Sequence, residues 1–229
     1  MFTRVYKAKI NRMLHLDIIN ALLRCVPNES TERFKRFRFI EDSLRGLFGE
    51  LLARYAISTH FSISNSLICF SRNEFGKPYA VNLPIHYNIS HSGEYVVCAI
   101  SSSNVGIDVE QITTINIDIA QQFFSSIEYE FLISKDEKHM KDIFFDLWTL
   151  KESYIKWNGK GLSIPLDSFS LVFNEAGIVL LDNSHSLKPY FKVYPLDGYK
   201  CALCSSVETL HDEIQKIVVE EISLDPFIK

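Results

Sequence analysis

The chain has 229 residues, 47% of them apolar and 23% charged, which suits one large or two small globular domains with a sizeable core and excludes a disordered or collagen-like polymer. No apolar run reaches the roughly 18 residues of a spanning helix, and Met1-Phe2-Thr3-Arg4 opens no signal-peptide stretch, so a cytoplasmic protein with no membrane partner is expected. The net charge of −4 divides unevenly: residues 1–103 hold 13 Lys and Arg against 8 Asp and Glu, residues 104–229 hold 11 against 20, and every arginine lies at or before Arg72. A basic half joined to an acidic half fits a small phosphorylated ligand better than nucleic acid, which the acidic half would repel.

Residues 2–10 alternate apolar and polar side chains as a half-buried strand does. Asn11 is placed to cap a helix with Leu14, Ile18, Leu22 and Cys25 at helical spacing, ended by Pro27. A second helix is expected from about Thr31 to Ile57. Strands are expected at Leu67–Ser71, His86–Ile89, Tyr95–Ser101 and Val105–Glu110, and helices near Ile117–Phe124, Ile127–Ser134 and Ile143–Trp157. Strands near Ser168–Asn174, Tyr190–Pro195, Lys200–Ser205 and Ile217–Ile222 close the chain. Both halves read as helices plus antiparallel strands, so an α+β fold of two similar subdomains, 1–103 and 104–229, is expected, with the boundary in the polar run Ser101–Asn104. Cys201 and Cys204 form a CxxC on an expected strand, which points the sulfurs to opposite faces. The five cysteines read as reduced thiols, those two buried.

Four groups of residues can carry chemistry. In Gly106-Ile107-Asp108-Val109-Glu110, strand alternation turns Ile107 and Val109 to the core and sets Asp108 and Glu110 together on the other face, exposed at a strand end. Paired carboxylates either stay solvated or hold a cation that prefers hard oxygen donors, such as Mg²⁺. On the helix Trp148–Lys156, Leu147, Leu150, Tyr154 and Ile155 form an apolar stripe. Trp148, Glu152 and Lys156, spaced by four, line another face. Glu152 and Lys156 read either as a surface ion pair or as a metal ligand or base beside a phosphate-neutralising lysine. The turn Asn88-Ile89-Ser90-His91-Ser92-Gly93 can offer a hydroxyl, an imidazole and backbone N–H groups to a phosphate, the alternative being an exposed turn histidine. Arg33, Lys35, Arg36, Arg38 and Arg45, with Lys77 in a Gly-Lys-Pro turn, are candidate anion contacts or a solvated basic face.

In this order and spacing, Phe75-Gly76-Lys77-Pro78, Asn88–Gly93, Gly106–Glu110, Phe123-Phe124-Ser125 with Glu128, and Trp148–Lys156 running on to Gly159-Lys160-Gly161-Leu162-Ser163 resemble the 4′-phosphopantetheinyl transferases of the long surfactin-synthetase-activating type. The resemblance implies a pseudo-two-fold pair of α+β halves with the active site in the cleft between them. It implies a monomer that moves the phosphopantetheine arm of coenzyme A to a serine of an apo carrier protein, peptidyl or acyl, and releases adenosine 3′,5′-bisphosphate. Carried over, Asp108, Glu110 and Glu152 hold Mg²⁺, with Mn²⁺ an alternative. Lys156 neutralises the leaving group, and Glu152 is the candidate base, Glu110 or a water being the other choices. Arg33, Lys77, Ser90 and His91 contact the nucleotide and its phosphates. Many members carry lysine where Ser30 stands and a hydroxyl residue where Gly46 stands, so weaker coenzyme A binding is expected, or compensation by Arg36 and Arg45. The rival readings are a non-catalytic relative that binds coenzyme A or a carrier, and a metal-dependent phosphodiesterase that cleaves coenzyme A with water.

Overall fold

In the computed structural model, residues 1–10, 15–175, 177–182, 188–208 and 214–217 are described. Strand β1 (Thr3–Lys9) is followed by helices α1 (Leu16–Leu23), α2 (Asn28–Lys35) and α3 (Ile40–Phe61). The short strands β2 (Phe70–Arg72) and β3 (Pro78–Ala80) lead into the hairpin of β4 (His86–Ser92) and β5 (Tyr95–Ser101). The second half begins with β6 (Val105–Gln111), then α4 (Ile117–Phe123), α5 (Ser126–Ile133) and α6 (Glu137–Asn158). It ends in β7 (Ser170–Asn174), β8 (Gly177–Leu181), the hairpin of β9 (Tyr190–Leu196) and β10 (Tyr199–Ser205), and β11 (Gln215–Ile217).

The two halves repeat one topology. In the first, β1 and β4 flank a central β5; in the second, β6 and β9 flank a central β10. All these pairings are antiparallel, each half carries one 22-residue helix, and each hairpin turns on a glycine at positive φ, Gly93 and Gly198. Strand alternation sorts the side chains into three cores. Cys98 and Ile100 of β5 pack with Leu47, Phe48, Leu51 and Leu52 of α3. Val97 and Ala99, on the opposite face, meet Val105, Ile107, Val109, Cys201 and Leu203 of the other sheet. Ala202 and Cys204 turn away from that middle core to Leu147, Leu150 and Tyr154 of α6. The order of layers is therefore helix, sheet, sheet, helix, and the expected two-subdomain α+β fold is present. The two cysteine sulfurs do lie in different cores.

The elements differ from the sequence expectation in a few places. The expected helix over 31–57 is two helices, because α2 folds back onto α3 at Gly46, where an added Cβ would lie 3.0 Å from the Phe34 ring. Ser30 and Arg33 of α2 bond to Glu50 of α3 and fix that fold-back. Helix α6 starts at Glu137 rather than near Ile143, with Asp136 capping the His139 N–H. Asn11 and Leu14 of the first expected helix, and positions 218–222 of the last expected strand, lie outside the described residues.

Candidate active site

The edge strands of the two sheets, β4 and β6, run side by side, and the candidate site lies along that seam. The pair is joined by side chains of β4 reaching to β6. Asn88 accepts from the Ile107 N–H (2.8 Å), Ser90 donates to Asp108 Oδ1 (2.7 Å), and Ser92 donates to Glu110 Oε2 (2.8 Å). Because strand side chains alternate, Asn88, Ser90 and Ser92 share one face of β4, just as Asp108 and Glu110 share one face of β6. Helix α6 covers that face of β6 closely. A Cβ on Gly106 would stand 2.1 Å from the Ser153 carbonyl oxygen and 2.3 Å from the Trp157 nitrogen, so only glycine lets strand and helix approach this far. This approach brings Glu152 and Lys156 over the strand carboxylates.

Lys156 Nζ lies 2.5 Å from Asp108 Oδ1 and 3.0 Å from Ser90 Oγ. The surface ion pair between Glu152 and Lys156 is thus not the one formed; the lysine turns to Asp108. Asp108 itself is buried, 2% exposed, contrary to the exposed strand-end acid expected. Strand alternation defines the face of Asp108, whereas β4 and α6, distant in sequence, enclose it. Burial alone would lower the pKa of Lys156, but Asp108, then Glu152 and Glu110, hold it above the ordinary lysine value. Burial raises the pKa of Glu110, with the charge of Asp108 adding to it, and burial likewise raises that of Glu152.

One oxygen of this cluster has no partner. Asp108 Oδ1 has two hydrogen bonds, whereas Oδ2 is buried with none. A carboxylate oxygen stripped of water and left unpaired is costly, and a cation removes that cost. Three carboxylates with raised mutual repulsion are hard-oxygen donors of the kind Mg²⁺ and Mn²⁺ take, so the residues fit such an ion. Among the described residues no three His, Cys, Asp or Glu side chains are already gathered into a metal cage. The ammonium of Lys156 supplies the positive charge at Asp108.

The remaining predicted residues fall into separate groups. His91 points away from Ser90, as adjacent strand residues do. Loss of water around its ring, then the positive charges of Lys156 and Arg45, hold its pKa below the ordinary histidine value. Arg45 pairs with Asp42 (2.6 Å) and donates to the Gly93 carbonyl (3.4 Å), at the turn that follows β4. Arg33 pairs with Glu50 (2.9 Å), which also accepts from the buried Arg54 and from Ser30. Arg36 is exposed. Neither Arg33 nor Arg36 bonds to the carboxylate cluster among the described residues.

Lys77 is placed differently from a free phosphate contact. Its Nζ donates to the carbonyls of Val105 (3.1 Å) and Trp157 (3.2 Å), so it caps the C-terminal end of α6. Asn73 reinforces the junction with a bond to the Gly159 carbonyl (3.0 Å). Burial pushes the Lys77 pKa down to about 8. Since its unfolded value is 10.5, the unfolded chain holds the extra proton between these two limits, and stability rises with pH across that window. Urea unfolding of the protein and of Lys77→Met at pH 7 and 9.5 should therefore show the wild-type advantage growing at the higher pH.

Three residues that the motif reading left without a role are Asn88, Ser92 and Lys151. The first two were visible as polar residues at period two with Ser90. Lys151, next to Glu152 in sequence, is fully buried and pairs with Glu128 (2.7 Å). Its position on the buried face of α6 was readable from the spacing to Leu147, Tyr154 and Ile155. Its partner, 23 positions back, was not.

A seam with acids and a lysine on one side and further cations on the other is suited to hold a phosphate ester and neutralise the charge that develops when a P–O bond breaks. Transfer or hydrolysis at phosphorus is the chemistry that such a seam can perform. Two family models divide the chain between them: 4′-phosphopantetheinyl transferase, N-terminal, over residues 16–103, and 4′-phosphopantetheinyl transferase superfamily over residues 104–204. The chain is 40% identical over 222 residues to the 4′-phosphopantetheinyl transferase Sfp of Bacillus subtilis (strain 168), an alignment covering 96% of this chain and 99% of that one. It is 41% identical over 216 residues to the 4′-phosphopantetheinyl transferase gsp of Aneurinibacillus migulanus, covering 93% and 91%. The chain belongs to the 4′-phosphopantetheinyl transferases of the Sfp type, enzymes that transfer the phosphopantetheine of coenzyme A to carrier proteins.

Proposed function

We propose that the transfer takes place at the β4–β6 seam, with Asp108, Glu110 and Glu152 holding Mg²⁺ or Mn²⁺ against the pyrophosphate of coenzyme A. The observation that carries this reading is the buried, unpartnered Asp108 Oδ2 beside two further acids. When bound, the ion supplies Lewis-acid neutralisation of phosphate charge. The residues of the chain do the rest. The carrier serine oxygen bonds to the phosphorus nearer pantetheine, the bond from that phosphorus to the bridging oxygen breaks, and adenosine 3′,5′-bisphosphate leaves. Glu152, with its raised pKa, takes the serine proton. Lys156 meets the negative charge on the departing phosphate.

The halves 1–103 and 104–229 divide this work in our reading. Arg45 and the imidazole of His91 beside the seam, with Arg33 and Arg36 further out, take the nucleotide phosphates, and Ser90 bonds to Asp108 of the second half. Lys77 contributes by anchoring its turn to the end of α6. Arg33 and Arg45 are each fixed by one acid, Glu50 and Asp42, and present their guanidinium groups to the nucleotide from those positions. The protein acts as a cytoplasmic monomer on an apo carrier protein, without nucleic acid or membrane; among the described residues no helix is long and apolar enough to cross a bilayer.

The test is the mass of an apo carrier protein incubated with coenzyme A, with Mg²⁺ and with EDTA. We expect a gain of one phosphopantetheine with Mg²⁺ and none with EDTA. Undiminished transfer in EDTA would overturn the metal reading. No gain on several carriers would favour a non-catalytic binder, and cleavage of coenzyme A without a carrier would favour a phosphodiesterase.

A further inference from the structure

The Ser92 hydroxyl is held on its donor side and on one of its two acceptor lone pairs. It accepts the Gln111 N–H at 3.1 Å and donates to Glu110 Oε2 at 2.8 Å. An acceptor lone pair engaged by a fixed backbone N–H orients the hydroxyl, so its proton points at one oxygen of one carboxylate. The link also crosses the molecule. Ser92 ends β4 of the first half, Glu110 lies on β6 of the second, and side chains rather than a backbone ladder join these two strands. Glu110 Oε1 has no hydrogen bond among the described residues.

We propose that Ser92 is a positioning residue: by holding Glu110 Oε2 across the seam, it turns Oε1 towards the divalent cation and couples the placement of this ligand to the docking of the two halves. Ser90 does the corresponding work at Asp108 but shares its hydroxyl with Lys156, so removing it would disturb charge pairing as well as orientation. Ser92 touches neither Lys156 nor Glu152 in the bonds formed here, which makes it the cleaner probe. Outer-shell partners that orient a ligating carboxylate typically change metal affinity by about 10–100-fold when removed.

The inference rests on the metal reading above, and the experiment separates the two. Mn²⁺ binding to the metal-free protein would be followed by electron paramagnetic resonance for wild type, Ser92→Ala, Ser92→Thr and Asp108→Asn, with melting temperatures measured in parallel. We expect Ser92→Ala to weaken Mn²⁺ binding roughly tenfold or more and Ser92→Thr, which keeps the hydroxyl, to restore most of it. Turnover of Ser92→Ala should recover at high Mg²⁺, with the KM for the carrier unchanged. Wild-type Mn²⁺ affinity in Ser92→Ala while Asp108→Asn binds weakly would overturn the role of Ser92 and leave the metal reading standing. Unaltered binding in Asp108→Asn would overturn both. If Ser92→Thr is no better than Ser92→Ala and both melt early, the residue is structural only and the proposal fails.

Discussion

Replacing Lys151 by methionine should remove about 3–5 kcal/mol of folding stability, the usual consequence of leaving one member of a buried ion pair alone. All three ammonium hydrogens of Lys151 are used: Glu128 Oε2 lies at 2.7 Å, the Leu166 carbonyl at 2.7 Å and the Phe169 carbonyl at 2.8 Å. Glu128 is equally committed. Its Oε2 also accepts from the Ser125 nitrogen and hydroxyl, completing a capping box at the start of α5, and its Oε1 accepts from the Leu171 nitrogen. Methionine fills the volume but leaves a carboxylate in a site closed to water and two carbonyls without a donor. The double variant Lys151→Met with Glu128→Gln should recover part of the loss, because an amide needs no counter-charge. Urea midpoints of the single and double variants measure this. A single-variant loss below about 1 kcal/mol, the range of exposed pairs, would mean that the interior site is far wetter than the geometry allows. The pair also ties α6 to the segment from Leu166 to Leu171, so the motif that carries Glu152 carries its own structural anchor one residue earlier.

Much of this is legible in the amino-acid sequence alone. The alternation of Gly106–Glu110 put Asp108 and Glu110 on one face, and the spacing of four put Glu152 and Lys156 together, because both rules depend only on the local backbone period. The expected strands Tyr95–Ser101 and Lys200–Ser205 match β5 and β10 nearly to the residue, since both are apolar on both faces and bounded by turn residues. What failed is what depends on neighbours distant in sequence. The break between α2 and α3 is decided by the Phe34 ring settling against Gly46, and nothing in the run from Thr31 to Ile57 marks it. Burial of Asp108 is decided by β4, which is 18 positions away, and by α6, which is 48 away. The destination of the Lys77 ammonium is decided by carbonyls at Val105 and Trp157, so a lysine in a Gly-Lys-Pro turn reads as a phosphate contact until the end of α6 is seen beneath it.

Conversion of Glu152 to glutamine should lower kcat by about 10²–10⁴-fold, the range in which a positioned base contributes, while coenzyme A affinity stays within about tenfold, or 1.4 kcal/mol. The expectation follows from where the side chain stands. It projects from α6 one turn before Lys156, over a strand face already carrying Asp108 and Glu110, and burial raises its pKa. Raising the pKa of a carboxylate strengthens it as a base, and a neutral serine hydroxyl needs one. No hydrogen bond of Glu152 to the protein is present among the described residues, so its oxygens are available to substrate. Glutamine keeps the shape and one oxygen donor but cannot accept the proton. The same carboxylate is a proposed ligand, and a fall in rate alone would not separate the two roles. Turnover of Glu152→Gln should therefore be measured across a Mg²⁺ titration, beside binding of coenzyme A by calorimetry. If the residue is the base, saturating Mg²⁺ leaves kcat low. If high Mg²⁺ restores kcat fully, Glu152 is a ligand only and the proton goes to Glu110 or to solvent. Asp108→Asn is the control that should respond to the ion, because Asp108 is bonded to Lys156 and Ser90 and is in no position to take a proton from an incoming serine.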